Sequence, residues 1–456
     1  MDGIAVSAVR RALCADFVSP ASPAFPSNIE RIKRGFKLLF ALAVMATALP
    51  AFADKCGGGM QPACAAVPMT PVNGAGQIWG FSGTALGSLD TVQGLSRAAM
   101  LNKYVDSGAK IIRTDINWGF IQPIKGAPMN APYLAAMDAI HNDLAARGIR
   151  QVLVIMGSPF WALDDSNKGW SSPTKVSVCT DPSKGAPMHN CFAPVNVDNT
   201  EIKAAWQDYI KFLVKRYPDL AGIEIWNEPN LQKFWGKYTF DPSKPYKDAD
   251  RLANMVAAAA DASHLVAPNL PVLSTPLAIY SYPTSNSPDL NAATWLNRLY
   301  TTAGASRFDA IGLHLYPCNT PADYMAQMNS WLGMYRNIRN ANGDSVKPFW
   351  ITETGSSSST AATNCGNSFT EQEQNLVTAK TMDWAKAQNA RNGDLPVVLL
   401  YTLFNTENRT FLQVSADSAQ SGYGLVAWSK NVSDGTVSFL DKPAYATVRC
   451  KMKGGC

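Results

Sequence analysis

Eight short apolar runs, each separated from the next by a longer segment, set the tightest limit on what this chain can fold into. The runs are Gln77–Phe81, Lys110–Asp115, Gln151–Met156, Gly222–Trp226, Pro271–Thr275, Ala310–Leu315, Phe349–Thr352 and Val397–Thr402. Most are continuously apolar rather than alternating, the pattern of strands covered on both faces. The segment Pro132–Arg147 places Leu134, Met137, Ile140 and Leu144 at spacings of three and four. That is a helical stripe, and Gly148 is positioned to end it. Glu201–Tyr217, Asp248–Ala267, Ala293–Gly304, Pro321–Asn340 and Glu371–Gln388 read as helices too. Strand and helix in eightfold alternation predict an α/β chain folded as a (β/α)₈ TIM barrel. A doubly wound open sheet would carry a glycine-rich phosphate loop after its first strand. Gly80-Phe81-Ser82-Gly83 does not fit that fingerprint.

Two segments read as insertions. Leu163–Asn199 is a polar loop after the third strand, and the stretch after the eighth strand contains Gly424–Ser429 and Thr436–Leu440 around Asp434-Gly435. The latter predicts a small β-hairpin extension. Lys442–Arg449 would close the barrel as a final helix.

The N-terminal region reads as an export signal. Arg31, Lys33, Arg34 and Lys37 precede the apolar run Leu38–Leu49, and Ala51-Phe52-Ala53 is a small-x-small cleavage pattern. A signal peptide cut after Ala53 is expected, since a run of 12 residues is too short to span a bilayer easily. The chain then divides into an extension and signal peptide (1–53), a disulfide-stapled segment (54–76), the barrel (77–449) and a stapled tail (450–456). Eight cysteines remain beyond the leader, an even number that suits an oxidising compartment. Their spacing suggests the pairs 56–64, 179–191, 318–365 and 450–456. No CxxC pair or histidine cluster offers a zinc site, so no metal or cofactor is expected. The net charge of +5 is modest and mixed along the chain, unlike the basic stripe of a nucleic-acid binder. The expected location is the periplasm or the outside of the cell, without stable membrane insertion.

Chemistry concentrates at the strand ends. The fourth strand runs into Trp226-Asn227-Glu228-Pro229, and the seventh ends Phe349-Trp350-Ile351-Thr352-Glu353. Active sites of such barrels lie at the C-terminal ends of the strands. Two carboxyls facing each other there are what glycosidic bond cleavage uses. There is no HExxH, no GxSxG elbow and no P-loop to point elsewhere.

Trp-Asn-Glu-Pro after the fourth strand, with a glutamate ending the seventh, resembles the clan of retaining glycoside hydrolases that includes families 39 and 5. The resemblance spans about residues 77–449. It implies that Glu228 is the acid/base and Glu353 the nucleophile. It also implies that Arg113, ending the second strand, lies near the nucleophile and balances its charge. Asn227 would bind the sugar 2-hydroxyl, and His314 and Tyr316, ending the sixth strand, would flank the pair with the tyrosine on the nucleophile. Gly157-Ser158-Pro159-Phe160-Trp161-Ala162 lacks the histidine that family 5 enzymes place there and is more similar to family 39. So is Asp115-Ile116-Asn117-Trp118. Within family 39 the pattern is most similar to exported bacterial enzymes that hydrolyse exopolysaccharide. A strand-eight tryptophan common in the clan is absent; Tyr401, Phe404 or Trp428 could replace it. Trp118, Trp161 and Trp235 fall on loops, where their faces could stack on sugars or simply pack.

The expected activity is therefore retaining hydrolysis of β-glycosidic bonds in a polysaccharide by a monomer, with internal cuts favoured. A family 5-like endo-β-glucanase or mannanase, an exo-acting β-xylosidase and an inactive polysaccharide-binding protein stay open.

Overall fold

The computed structural model describes residues 76–83, 95–172, 175, 177–237, 243–279, 291–317, 323–358, 369–405, 421–431 and 433–456. The leader, nearly all of segment 54–76 and the pairs 56–64 and 318–365 lie outside them.

Nine strands form one curled, all-parallel sheet: β1 (Ile78–Ser82), β2 (Ile111–Asn117), β3 (Arg150–Met156), β4 (Gly222–Ile225), β5 (Val272–Leu273), β6 (Leu277–Ala278), β7 (Ile311–Leu315), β8 (Phe349–Thr354) and β9 (Val397–Tyr401). Their order is β5-β4-β3-β2-β1-β9-β8-β7-β6. The two ends meet where Leu273 bridges Ala310 in parallel and the Ser274 amide donates to the Ala310 carbonyl at 2.9 Å. The sheet thus curls into a TIM-barrel-like ring.

The run expected as the fifth strand, Pro271–Thr275, holds only the short β5, and a second short strand, β6, follows just beyond it. Pro276 has no N–H to give to a ladder, and it separates β5 from β6. Counting from the sequence, strands six, seven and eight are therefore β7, β8 and β9.

A helix follows every barrel strand except β5, which leads straight into β6: α1 (Arg97–Ser107), α2 (Ala131–Ala145), α3 (Thr200–Arg216), α4 (Lys247–Val266), α5 (Ala292–Arg298), α6 (Tyr324–Ala341), α7 (Glu371–Asn392) and, after the hairpin, α8 (Pro443–Lys453). The sequence reading missed α1, whose buried apolar stripe is only Met100, Leu101 and Tyr104. Its ends were better marked than its face. The Ser96 side chain accepts from the Ala99 amide, and Gly108 closes the helix at φ 88°, a left-handed cap that glycine adopts without cost. The predicted hairpin is present as β10 (Val426–Lys430) and β11 (Val437–Asp441), paired antiparallel with Trp428 opposite Phe439.

Two cores stabilise the ring. The inner one is built from Ile111, Val152, Leu273, Trp350, Val397 and Leu399, drawn from five strands. The outer one lies between sheet and helices, where each fully buried large apolar side chain contributes about 1.5–3 kcal/mol. The disulfides Cys179–Cys191 and Cys450–Cys456 are formed as spacing suggested. Among the described residues, no helix is long and apolar enough to cross a membrane.

The inner wall admits glycine alone at position 80, where an added Cβ would fall 1.9 Å from the Ile111 carbonyl oxygen. Backbone cannot yield as a side-chain tip can. Gly80→Ala is expected to destabilise the barrel by at least about 2 kcal/mol, read as a lowered chemical-denaturation midpoint.

Candidate active site

The site grows from register. On β2, inward residues alternate as Ile111, Arg113, Asp115 and Asn117, while Ile112 and Ile116 join the outer cores. Arg113 is 3% exposed and serves as a hub. Its Nε donates to Glu224 Oε2 at 2.5 Å, its Nη1 to Glu353 Oε1 at 2.6 Å and to Ser82 Oγ at 3.2 Å, and its Nη2 to Asn227 Oδ1 at 2.8 Å. Burial opposes its charge, but Glu224, Glu353 and Asp115 keep the guanidinium protonated more firmly than usual. Glu224 itself sits over Gly312, where a Cβ would lie 2.6 Å from Glu224 Oε1.

Glu353 owes its direction to a bulge. Trp350 points into the barrel and Ile351 out, so strict alternation would turn Thr352 in and Glu353 out. The pairing of β7 with β8 slips here, from Leu313 opposite Ile351 to His314 opposite Glu353. The extra residue re-aims the carboxylate into the mouth. There its Oε2 accepts from Tyr316 Oη at 2.7 Å, and Ser82 Oγ lies 3.2 Å from Oε1. Burial, and then the charge of Glu353, push the Tyr316 phenol well above its ordinary range, so it remains a donor.

Glu228 is aimed by a different device. Trp226 and Glu228 both have positive φ, 72° and 42°, a region that costs a non-glycine residue about 1–3 kcal/mol. The turn throws Trp226 into the outer core, its indole donating to the Phe234 carbonyl at 2.5 Å. The split strand supplies the compensation. The Glu228 amide donates to the Pro276 carbonyl at 3.1 Å, and the Asn230 side chain exchanges two hydrogen bonds with the Ala278 backbone at 2.7 and 2.9 Å.

One imidazole joins the two acids. His314 Nδ1 lies 3.0 Å from Glu228 Oε1 and 3.6 Å from Glu353 Oε2. The gap between those oxygens cannot exceed the sum of the two distances. Burial pushes the Glu228 carboxyl up, but the His314 contact, helped by the charges of Lys233 and Arg113, outweighs it and holds Glu228 below the usual glutamate value. Asp115, half-buried in the same mouth, goes the other way: burial lifts it to about 6, with Arg113 opposing and Glu353 and Glu224 adding.

The residues singled out from the sequence separate clearly. Arg113, Asn227, Glu228, His314, Tyr316, Glu353 and Tyr401 converge on one mouth. Trp118 and Trp235 do not line it. Both are fully buried; Trp118 stacks on Tyr209 at 5.0 Å, and Trp235 packs on Trp226 and Trp295 while donating to Asp248. Helix packing claimed them because a tryptophan on a short turn against two helices buries more area than one facing water. Phe404 and Trp428 are likewise core. Trp161 is half-buried, edge-on to Trp118 and bonded to the Gln122 carbonyl. Sequence reasoning missed Ser82 and Tyr423. The rings of Tyr316, Tyr401 and Tyr423 meet edge to face at 5.5–6.2 Å, and Tyr401 and Tyr423 are half-buried at the rim. Ser82 was recoverable from its place at a strand end; Tyr423, in a short turn before β10, carried no local signal.

Comparison with known proteins agrees with this picture. Residues 181–392 match the family model described as glycosyl hydrolase catalytic core. No curated protein matches the chain by sequence. Among solved structures, a family 39 glycoside hydrolase from Bacteroides cellulosilyticus WH2 is similar at 18% identity and TM-score 0.50, over 82% of this chain and 63% of that one. The chain thus spans less than two thirds of that enzyme. A monomeric β-xylosidase from Caulobacter crescentus CB15 is similar at 16% identity and TM-score 0.50, over 84% and 69% of the two chains. A family 1 β-glucosidase from Thermotoga maritima reaches TM-score 0.55 at 14% identity, over 84% and 99%. At these identities the likeness is one of fold. Together with the match of residues 181–392 to a glycosyl hydrolase catalytic core, the fold is similar to that of glycoside hydrolases, family 39 enzymes among them.

Two measurements probe the site directly. Glu224→Ala leaves Arg113 buried without its closest partner, so a loss of about 3–5 kcal/mol in unfolding free energy is expected. His314→Ala removes the largest contact that lowers Glu228 and leaves burial opposed by Lys233 and Arg113 alone. A ¹³C-detected titration should then place the Glu228 midpoint higher than in the parent; an unchanged or lower midpoint contradicts the assignment.

Proposed function

We propose that this chain is an exported retaining glycoside hydrolase that cleaves β-glycosidic bonds within a polysaccharide, with Glu228 as acid/base and Glu353 as nucleophile. The carrying observation is the single His314 nitrogen in reach of both carboxylates. The largest oxygen–oxygen gap it permits barely reaches the bottom of the ~6.5–9.5 Å range of inverting pairs and includes the ~5–5.5 Å of retaining pairs.

The surroundings favour this division of labour. Glu353 is held by Arg113, Ser82 and Tyr316, three donors that fix a carboxylate for attack and offer it no way to rotate off the sugar. Glu228 has His314 as its hydrogen-bond partner, leaving it freer to exchange a proton with substrate. In the first step Glu228, in the protonated form of the enzyme, gives its proton to the glycosidic oxygen; the lowered titration of Glu228 makes that form the scarcer one near neutral pH. The bond from that oxygen to the anomeric carbon breaks, and a Glu353 oxygen bonds to the carbon. In the second, Glu228 takes a proton from water, the water oxygen bonds to the carbon, and the Glu353 ester is released. Asn227 accepts from Arg113 through Oδ1, which turns its amide N–H₂ toward the sugar 2-hydroxyl. Tyr401 and Tyr423 supply the aromatic rim in place of a tryptophan.

Export is supported by the leader pattern and by two formed disulfides. Internal cutting of an exopolysaccharide is supported by the family 39 resemblance and by the long stapled loop after β3. An exo-acting reading rests on the fold likeness to the Caulobacter β-xylosidase. Product lengths decide between them: internal cuts give a ladder of oligosaccharides, and exo action gives monosaccharide from the start.

Glu228→Ala and Glu353→Ala should each lower kcat on polysaccharide by at least about 10²–10⁴-fold. Added azide should rescue them to glycosyl azides of opposite anomeric form, β for Glu228→Ala and α for Glu353→Ala. Undiminished turnover in either variant overturns this assignment of roles.

A further inference from the structure

The mouth contains one acid that this chemistry does not use. Asp115 lies on β2 between two inward side chains that are both committed elsewhere. Arg113 is spent on Glu224, Glu353, Ser82 and Asn227. Asn117 bonds to Asn190 and caps the following turn through the Phe120 amide. Among the described residues, the Asp115 carboxyl has no hydrogen-bond partner, although it is half-buried within the ring. The groups that face it electrostatically are Arg113 on its own strand, Glu353 on β8, Glu224 on β4 and His314 on β7. Tyr133 from α2 and Tyr401 from β9 face it as well.

An acid buried for structural reasons is paired, because an uncompensated charge in a protein interior is costly. Here the local balance is unfavourable. Glu224, Glu353 and Asp115 lean on one guanidinium, two of them already bonded to it, and the raised titration of Asp115 reports that its charge is poorly met. What would meet it is a set of hydrogen-bond donors from outside the chain.

Resting on the glycosidase reading above, the geometry points to Asp115 as a substrate-binding, specificity-determining residue. It accepts hydrogen bonds from ring hydroxyls of the sugar that Glu353 attacks. It stands two residues on from Arg113 on the inward face of β2, and Arg113 holds Glu353 at 2.6 Å, which sets it toward the nucleophile's side of the scissile bond, while Asn227 attends to the 2-hydroxyl. The sugar it fits is neutral, with free hydroxyls beyond C2. A uronate carboxylate in that subsite would meet four like charges.

The test uses the full exported chain with 2,4-dinitrophenyl β-D-glucoside and β-D-xyloside, and singly deoxygenated forms of whichever is cleaved. Asp115→Asn and Asp115→Ala should lower kcat/KM on the parent sugar by about 10- to 100-fold, the range of a hydrogen bond to a charged group. On the one deoxy sugar that lacks the contacted hydroxyl, Asp115→Ala should cause no further loss, the signature of a broken pair in a double-mutant cycle. A structural acid would instead cost the same factor on every sugar. Stability gives a second readout. A carboxyl raised in the folded state disfavours folding once pH passes its unfolded value near 3.8. Asp115→Asn should therefore melt at or above the parent at pH 7, whereas loss of a structural acid would lower the melting point. Unchanged kcat/KM in Asp115→Ala, or equal losses across the deoxy series, overturns this inference alone. Failure of the parent to cleave any β-glycoside or polysaccharide overturns the glycosidase reading and this inference with it.

Discussion

Everything at the mouth of this barrel depends on the buried guanidinium of Arg113. It ties Glu224 on β4, Glu353 on β8, Ser82 on β1 and Asn227 beyond β4 into one cluster. A lysine could not do this, since a point charge cannot address four acceptors in one plane. The hub carries an internal compensation. Glu224 neutralises the arginine from below, and Gly312 gives Glu224 the space to do so. The charge of Glu353 is then held in place without fully cancelling the arginine's field.

Two departures from regular structure aim the acids. A bulge at Thr352–Glu353 reverses which face of β8 the carboxylate occupies. Two left-handed residues after β4 turn Trp226 outward and Glu228 inward. Both are places where local preference is overruled, and both are over-determined by their surroundings. Pro276 interrupts the fifth strand, and its carbonyl then serves the Glu228 amide; Asn230 replaces the missing ladder against Ala278. The break in one strand is thus coupled to the strain in its neighbour. His314 reads out the result, because only with both devices in place do the two carboxylates reach the same nitrogen.

The aromatic residues show the limits of position-based reasoning. Four aromatics after strand ends look equally able to meet a sugar. Trp118 and Trp235 went to the outer core, where neighbouring helices offered complete burial. Trp161 kept one partly open face, and Tyr401 stayed at the rim beside Tyr423. Nothing in the flanking residues distinguishes these fates, because burial is decided by what packs from elsewhere in the chain. Tyr423 arrives from 22 residues beyond Tyr401 and has no motif of its own.

The amino-acid sequence by itself determined the barrel class, most helix positions, the hairpin, two disulfides and the charged and polar strand-end residues Arg113, Asn227, Glu228, His314, Tyr316 and Glu353 that meet at the mouth. These are properties of local periodicity, turn chemistry and strand-end position, which neighbouring residues encode. Only the tertiary structure decided that the fifth strand is split, that Glu353 faces inward through a bulge, that Arg113 links several strand ends, and that the Asp115 carboxyl stands in the mouth without a hydrogen-bond partner. Each of these is a relation between residues distant in the chain. Register, burial and charge balance become definite only when the sheet closes on itself.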